Sequence, residues 1–251
     1  MAHLTEERVL ELKAIARKLR VDILEMITKA ASGHTGGSLS IADLITLLYF
    51  EEMHIDPANP KMADRDRLVL SKGHAAPAMY AALAEKGYFD KEELNHLRQA
   101  GHMLQGHPDM KHTPGVDMTT GSLGQGISAA CGMALASQMD HASWRVYATA
   151  FVDNNGLQID GPVSEVMSPL PIGEKFKAFG WHVISVNGHD MSALHDAIEE
   201  AHSVSGQPTV IVMKTVKGKG VKETENRVGW HGKAPSPEQC VQFVKEVEEA
   251  E

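Results

Sequence analysis

Six imidazoles of this chain stand directly beside a glycine: Gly33-His34, Gly73-His74, Gly101-His102, Gly106-His107, Gly188-His189 and His231-Gly232. A glycine at that position lets the backbone bend close to a ligand while the ring projects, and imidazole moves protons near neutral pH. Such rings also donate hydrogen bonds to phosphate and sugar oxygens. For any one of them taken alone, a surface or capping role is the competing reading. His102, His107 and His112 are evenly spaced but lack a Glu-bearing helix motif, so they make a poor zinc signature. A second chemical stretch is Phe151-Val-Asp-Asn-Asn-Gly-Leu-Gln-Ile-Asp-Gly161. Asp153, Asn154 and Asn155 offer hard oxygen ligands, and Gly156 permits a tight turn. Its competing reading is a plain strand-to-turn corner, since Asn-Gly is a common turn pair. Lys217-Gly-Lys-Gly220 is a basic loop that either grips a phosphate or is a solvated turn.

These residues need elements to position them. Thr5 is placed to cap a helix running to about Ala31, with Leu12, Ile15, Leu19, Ile23, Met26 and Ile27 at helical spacing. Ser32–Gly37 breaks it, and a second helix begins after Ser40, with Asp43 completing a capping-box-like pair. Arg67–Leu70 reads as a short strand, followed by a helix over Ala75–Lys86; Asp90 with Glu93 caps another. The loop Thr119–Gly126 enters a helix from Ile127 to about Met139. Further along, Pro171–Phe179 reads as a helix, Trp181–Val186 as a strand, Asp190 as the cap of a helix to about Val204, and Pro208–Lys214 as a strand. Ser236, Pro237 and Gln239 open a last amphipathic helix bearing Val241, Val244 and Val247. Strands alternating with helices predict an α/β fold: a doubly wound, mainly parallel sheet with helices on both faces, in one domain over residues 1–251. His34, His74 and His107 all fall in breaks between elements, and the Asp153–Asn155 run falls at the carboxyl end of a strand, where such sheets bind ligands.

Composition narrows the function classes. With 24 Lys and Arg against 33 Asp and Glu, the net charge is −9, which argues against nucleic acid as the main partner. No apolar run is long enough for a membrane span. The N-terminal residues lack the basic and apolar regions of a signal peptide, so a cytoplasmic location is expected. The two cysteines, Cys131 and Cys240, fit no metal or redox spacing and are expected to be buried or half-buried thiols.

Six segments together carry a family resemblance: Ser32-Gly-His-Thr-Gly-Gly-Ser-Leu-Ser40, Leu70-Ser-Lys-Gly-His-Ala75, Gly106-His-Pro108, Thr120-Gly-Ser-Leu-Gly-Gln-Gly126, Asp153-Asn-Asn-Gly-Leu-Gln-Ile-Asp-Gly161 and Trp230-His-Gly232. In order and extent they resemble the N-terminal half of transketolase, with Thr35 where the family usually has Pro. The resemblance implies the pyrophosphate domain that binds thiamine diphosphate with Mg²⁺ or Ca²⁺. It implies that His34 and His231 handle substrate and protons, with His231 also near the diphosphate. His74 matches a diphosphate contact, and His107 a residue near the substrate hydroxyls. Gly121, Ser122 and Leu123 match the loop lining the cofactor ring, and Asn155 and the backbone oxygen of Leu157 match metal ligands. The activity implied is transfer of a two-carbon ketol unit between sugar phosphates. A related synthase condensing pyruvate with an aldehyde phosphate fits the Thr35–Ala42 stretch less closely.

Two departures accompany the resemblance. In the family a pyrimidine-binding domain and a C-terminal domain follow, and the former holds the glutamate that activates the cofactor. The resemblance therefore implies one half of a split transketolase, working with a separate subunit that carries the pyrimidine domain, as a homodimer or a two-plus-two heterotetramer. In addition, the family's Gly-Asp-Gly strand end and the helix after it are missing near residues 148–149, some two dozen residues by resemblance. The lost Asp would be a metal ligand, and the lost Gly a diphosphate contact. Val146–Val152 is too short to hold two neighbouring parallel strands and their crossover, so one merged strand is expected there, in a sheet short of one strand and one helix. The helix's loss is expected to leave apolar surface in need of a cover. The Asp153–Gly161 loop is expected to be shifted or disordered, with metal and cofactor binding weakened. The alternative reading of function is thus a cofactor-deficient, non-catalytic homologue that serves in binding or assembly.

Overall fold

The computed structural model describes residues 3–147 and 150–250. Helix α1, Glu6–Lys29, is capped as expected: the Thr5 hydroxyl accepts from the Arg8 amide. Its Leu12, Leu19, Ile23 and Ile27 are fully buried and form the spine of the core. Helix α4, Ala76–Lys86, packs against it, with Tyr80 and Leu83 buried. Small residues at 76, 78, 81 and 82 let that helix lie close to its neighbours. Helix α8, Pro237–Glu248, carries the expected capping box between Ser236 and Gln239 and buries Phe243 and Val247 against α1.

The segment expected to break α1 contains a helix of its own. Thr35–Leu39 forms the short α2, and Ala42–Leu47 forms α3, which runs on as a π-turn over Leu48–Glu52. Ser40 and Asp43 do not form a cap, because both side chains have tertiary partners. Asp43 takes a bidentate pair from Arg20, at 3.0 and 2.7 Å, and a contact from His189 Nδ1 at 2.7 Å. Asp90 caps a 3₁₀ turn, Lys91–His96, through the Glu92 amide, instead of an α-helix with Glu93.

The strands are parallel throughout, as expected, but they are divided. Among the described residues strand β1, Arg67–Leu68, pairs with β2, Val146–Tyr147, in a sheet of two. Strand β3, Ala150–Asn154, pairs with β5, Thr209–Lys214, which also pairs with β4, His182–Asn187, in the order β3-β5-β4. The expected merged strand over Val146–Val152 runs through residues 148 and 149; on either side of them β2 and β3 take their ladder bonds from different sheets, so the two are not paired neighbours, and no crossover between them is required. Ala148 and Thr149 lie outside the described residues. The two sheets leave an apolar cavity of about 390 Å³, lined by Leu44 and Leu48 of the α3 segment, Leu68, Tyr147, Phe151 and Met213 among others.

Three further helices complete the layers: α5, Gln125–Met139, α6, Ile172–Ala178, and α7, Met191–Ser203. Helix α7 buries Leu194 and Ile198, whereas α6 buries no residue. On α5, Leu135 and Met139 are 60% and 80% exposed, and Phe179 after α6 is 84% exposed, so the expected uncovered apolar surface lies on these two helices. Cys131 shares that open α5 face and is exposed, contrary to expectation; Cys240 is buried. Among the described residues no helix is long and apolar enough to cross a membrane.

Candidate functional site

Three of the glycine-flanked histidines converge. The rings of His34, before α2, His74, in the 3₁₀ turn Gly73–Ala75, and His231, after the 3₁₀ turn Val228–Trp230, lie with centroids 4.8, 5.2 and 5.4 Å apart. Their positions are set by loops packed too closely for side chains. A Cβ on Gly36 would sit 3.0 Å from the Trp230 carbonyl oxygen and 3.1 Å from Lys217, and one on Gly73 would sit 2.8 Å from the Thr120 hydroxyl. The Thr120 hydroxyl donates to the Leu70 carbonyl at 2.8 Å, pinning the 119–126 loop to the His74 turn. Gly121 of that loop faces the ring of His107, whose backbone is held by the Tyr80 hydroxyl. The Ser122 carbonyl accepts from Gln125 at the start of α5, and Leu123 is exposed at the rim of the inter-sheet cavity. His34, His74, His107, His231 and Gly121 are thus gathered into one region, with Ser122 and Leu123 along its loop.

Two lysines join the cluster. Lys217 is buried, with Nζ 2.9 Å from His231 Nδ1. Of the two readings of its loop, the solvated turn is excluded for this side chain. Lys72 donates to the Gly37 carbonyl at 2.8 Å, to Ser40 Oγ at 3.3 Å and to the Asp153 carboxylate. The signal for Lys72 was its place inside the Leu70–Ala75 segment, two residues before His74. Arg98, in a loop with no chemical motif, reaches Ser32 Oγ at 3.0 Å and had no sequence signal.

The electrostatics of the cluster are one-sided. Burial, then the charges of His231, Arg98, His107 and Lys217, hold His34 down at about 4. Burial, Lys72 and the neighbouring imidazoles hold His74 down at about 3. Burial with Lys217 and Lys72 lowers His231, and burial with Lys72 lowers Lys217. Each group resists a positive charge chiefly because it is buried, and then because its neighbours already carry, or compete for, one. His34 Nδ1 is buried with no hydrogen-bond partner among the described residues. A region of crowded donors with an orphaned ring nitrogen has the chemistry of a site for a polyanion, and a diphosphate fits it.

The oxygen ligands expected at the end of β3 are placed differently. Burial pushes the Asp153 carboxyl up, but Lys72 and the hydroxyls of Ser40 and Thr215 outweigh it and hold it at about 2. Asp153 therefore serves as the counter-ion of Lys72, with Ser40 Oγ donating at 2.6 Å and Thr215 also donating. Asn155 turns its Oδ1 back onto the Leu157 amide at 3.0 Å. Val163 and Gln158 donate to the Gly156 and Gly161 carbonyls, so the loop is a bonded hairpin with Leu157 opposite Pro162. The disordered form expected for this loop is thus corrected: Asn155 and the turn at Gly156, at φ 75°, organise it locally. A hard cation wants six or more oxygens, several of them anionic. Asn155 Oδ1 and the Leu157 carbonyl are two neutral oxygens, one already accepting a bond, and they do not suffice for a metal.

Comparison with known proteins gives a consistent picture. The sequence profile of the family described as transketolase, thiamine diphosphate binding domain, matches residues 11–148 and 147–247. The match comes in two pieces that meet between β2 and β3. The chain is 44% identical to the 6-deoxy-6-sulfo-D-fructose transketolase subunit SqwG of Clostridium sp. (strain MSTE9), over 96% of this chain and 98% of the relative. That alignment runs over 269 residues, more than the 251 of this chain. An apulose-4-phosphate transketolase subunit from Phocaeicola vulgatus is 35% identical, over 93% of this chain and 92% of the relative. Human transketolase is 35% identical, over 96% of this chain but 43% of the relative. Transketolase from Leishmania mexicana superposes with a TM-score of 0.88 at 28% identity, covering 94% of this chain and 41% of the other. The chain thus spans nearly all of the two subunit relatives and about two-fifths of the single-chain ones.

Proposed function

The chain belongs to the transketolase family, as its N-terminal thiamine diphosphate binding domain, and from that premise we propose that it is the pyrophosphate-domain subunit of a split transketolase. The observation that carries this reading is the joining of His34, His74 and His231 with Lys217 in one cluster. Its partner is a subunit bearing the pyrimidine domain, assembled as a homodimer of such pairs, two plus two. The substrates are ketoses with an anionic tail. In support, the two subunit relatives are named for a sulfonated sugar and a sugar phosphate.

Thiamine diphosphate, when bound, supplies the nucleophilic carbon that takes up and hands on the two-carbon unit. The residues of this chain would hold it and handle the substrate. His74 and His231 would donate to the diphosphate, and Lys217, 2.9 Å from His231 Nδ1, fixes that ring and would add charge. His34, essentially neutral at pH 7, accepts or donates a proton at its substrate. His107, facing Gly121, would orient substrate hydroxyls, and Gly121, Ser122 and Leu123 would line the cofactor ring.

A second reading, a cofactor-deficient homologue acting in binding or assembly, is favoured by one observation. Asp153 is committed to Lys72, so the carboxylate at the end of β3 is not free beside Asn155 and Leu157 for a divalent ion. The two-piece family match and the long alignment support the loss of a Gly-Asp-Gly segment near 148–149, domain 1–251 being otherwise continuous. Calorimetric titration of thiamine diphosphate with Mg²⁺, with and without a pyrimidine-domain partner, separates the readings. Stoichiometric binding and ketol transfer with the partner are expected from the first. Heat from pyrophosphate alone, with neither cofactor retention nor turnover, would leave the second.

A further inference from the structure

A second group of ligating side chains lies at the other end of the α3 segment, where its π-turn ends. His195, Glu199 and His202 stand at i, i+4 and i+7 on α7, one stripe of that helix. They meet Glu52, the last residue of the π-turn Leu48–Glu52. One ligand atom from each of Glu52, Glu199 and His202 lies within 4.8 Å of the others. Ligands of one tetrahedral zinc-sized ion stand about 3.5 Å apart, since each bond is about 2.0–2.2 Å. Closing the group on an ion therefore takes a shift approaching an ångström for each ligand atom, which the half-buried Glu199 and the exposed His202 can supply by small torsional changes toward the more buried Glu52.

The surroundings suit such an ion. His195, buried, places Nδ1 2.6 Å from Glu52 Oε1 and orients that carboxylate. The Tyr147 hydroxyl donates to the Glu52 backbone carbonyl at 3.2 Å, and the Tyr147 ring lies edge-on to His202 at 6.2 Å. The charges of Glu199 and Glu51 both act against that of Glu52, while His202 faces Arg145 and Asp66 beyond Glu199. Two carboxylates and an imidazole held together, with a histidine behind one carboxylate, form a ligand set with a ready-made supporting shell. A π-turn aiming its last residue at a ligand group is a recurring use of that geometry.

We propose that Glu52, Glu199 and His202 bind a divalent transition-metal ion of the zinc type, with His195 as the positioning partner of Glu52, clipping the π-turn to α7. Imidazole selects zinc-like ions over Mg²⁺, so this site is chemically distinct from one for a diphosphate-bound cation. The clip ties together two elements beside the edge where β1 and β2 are short.

The test uses the full chain stripped with chelator and titrated with Zn²⁺ against a chromophoric competitor. One tightly bound equivalent is expected, undisturbed by excess Mg²⁺, together with a zinc-dependent rise in the thermal unfolding midpoint. Glu199→Gln and His202→Gln should each weaken binding by about tenfold or more and abolish that rise, by the usual cost of losing a metal-site residue. Each is first shown to unfold at the wild-type midpoint in chelator. Should Glu199→Gln fail that check, His202→Gln, at the open end of the helix, decides alone. Absence of binding, equal competition by Mg²⁺, or zinc affinity unchanged in the folded variants would overturn the proposal. The last result would place the ion on the His34, His74 and His231 cluster instead.

Discussion

At the scale of single residues, the Lys72–Asp153 pair is the point on which the site turns. The lysine is held among backbone and hydroxyl acceptors, and the carboxylate is almost wholly buried. Removing one partner of a buried pair strands the other, which costs about 3 kcal/mol or somewhat more. Asp153→Asn should lower stability by about that amount in urea unfolding, and adding Lys72→Met should restore part of it. The histidines predict a pH dependence. Unfolded imidazoles titrate near 6.5, whereas folded His34 and His74 titrate at about 4 and about 3, chiefly through burial. Between those values the unfolded chain holds more protons, so this stabilisation is complete above about 6.5 and is lost as the pH falls toward 4. Asp22, lifted to about 6 by burial, has the opposite slope below that value. Comparing urea midpoints from pH 7 to 5 for the wild type and a His34→Gln/His74→Gln variant isolates the histidine part, and the wild type should lose more. Pyrophosphate binding should in turn take up protons at pH 7, seen as a buffer-dependent heat.

At the scale of elements, caps and close approaches explain where the loops sit. Ser236→Ala removes the hydroxyl half of the α8 capping box, leaving the backbone amide of residue 236 donating to Gln239 Oε1, and should cost about 1 kcal/mol in unfolding free energy. Gly73→Ala has a different consequence. The added methyl meets Thr120 and the Gly121 backbone nitrogen, at 2.8 and 3.0 Å, so the 119–126 loop must retreat from the His74 turn. Pyrophosphate affinity should fall more than stability does, and calorimetry beside urea unfolding distinguishes the two. Strand β5 holds the second sheet together, because it pairs with β4 over Thr209–Lys214 and with β3 over Val210–Lys214.

At the scale of the whole molecule, the division of the sheet is the main feature. An apolar cavity of about 390 Å³ opens between the halves, and α5 and α6 present Leu135, Met139 and Phe179 to solvent. Exposed apolar surface of this kind binds hydrophobic dyes and favours association. Inserting a family Gly-Asp-Gly strand end with its helix between Ala148 and Thr149 should lower dye fluorescence, raise the unfolding midpoint and supply the missing carboxylate for Mg²⁺. Failure of the insert to alter either dye binding or Mg²⁺ affinity would separate the cavity from the absent segment.

The sequence by itself determined the long helices, the parallel character of the strands and the identity of the histidine loops. Helical spacing, cap residues and Gly-His pairs are local signals, written in neighbours along the chain. That is why the Ser236–Gln239 box and the Thr5 cap were legible, together with the strand and helix placements after residue 170. The tertiary structure alone decided which groups spend their charge on each other. Asp43 reads as a cap but pairs with Arg20 and His189, and Asp153 reads as a ligand but neutralises Lys72 from 81 residues away. It also decided that β2 and β3 part company, because a strand follows its ladder partners, β1 for one and β5 for the other. Partners distant in sequence leave no periodic trace, and a buried charge takes whichever counter-ion the fold brings to it.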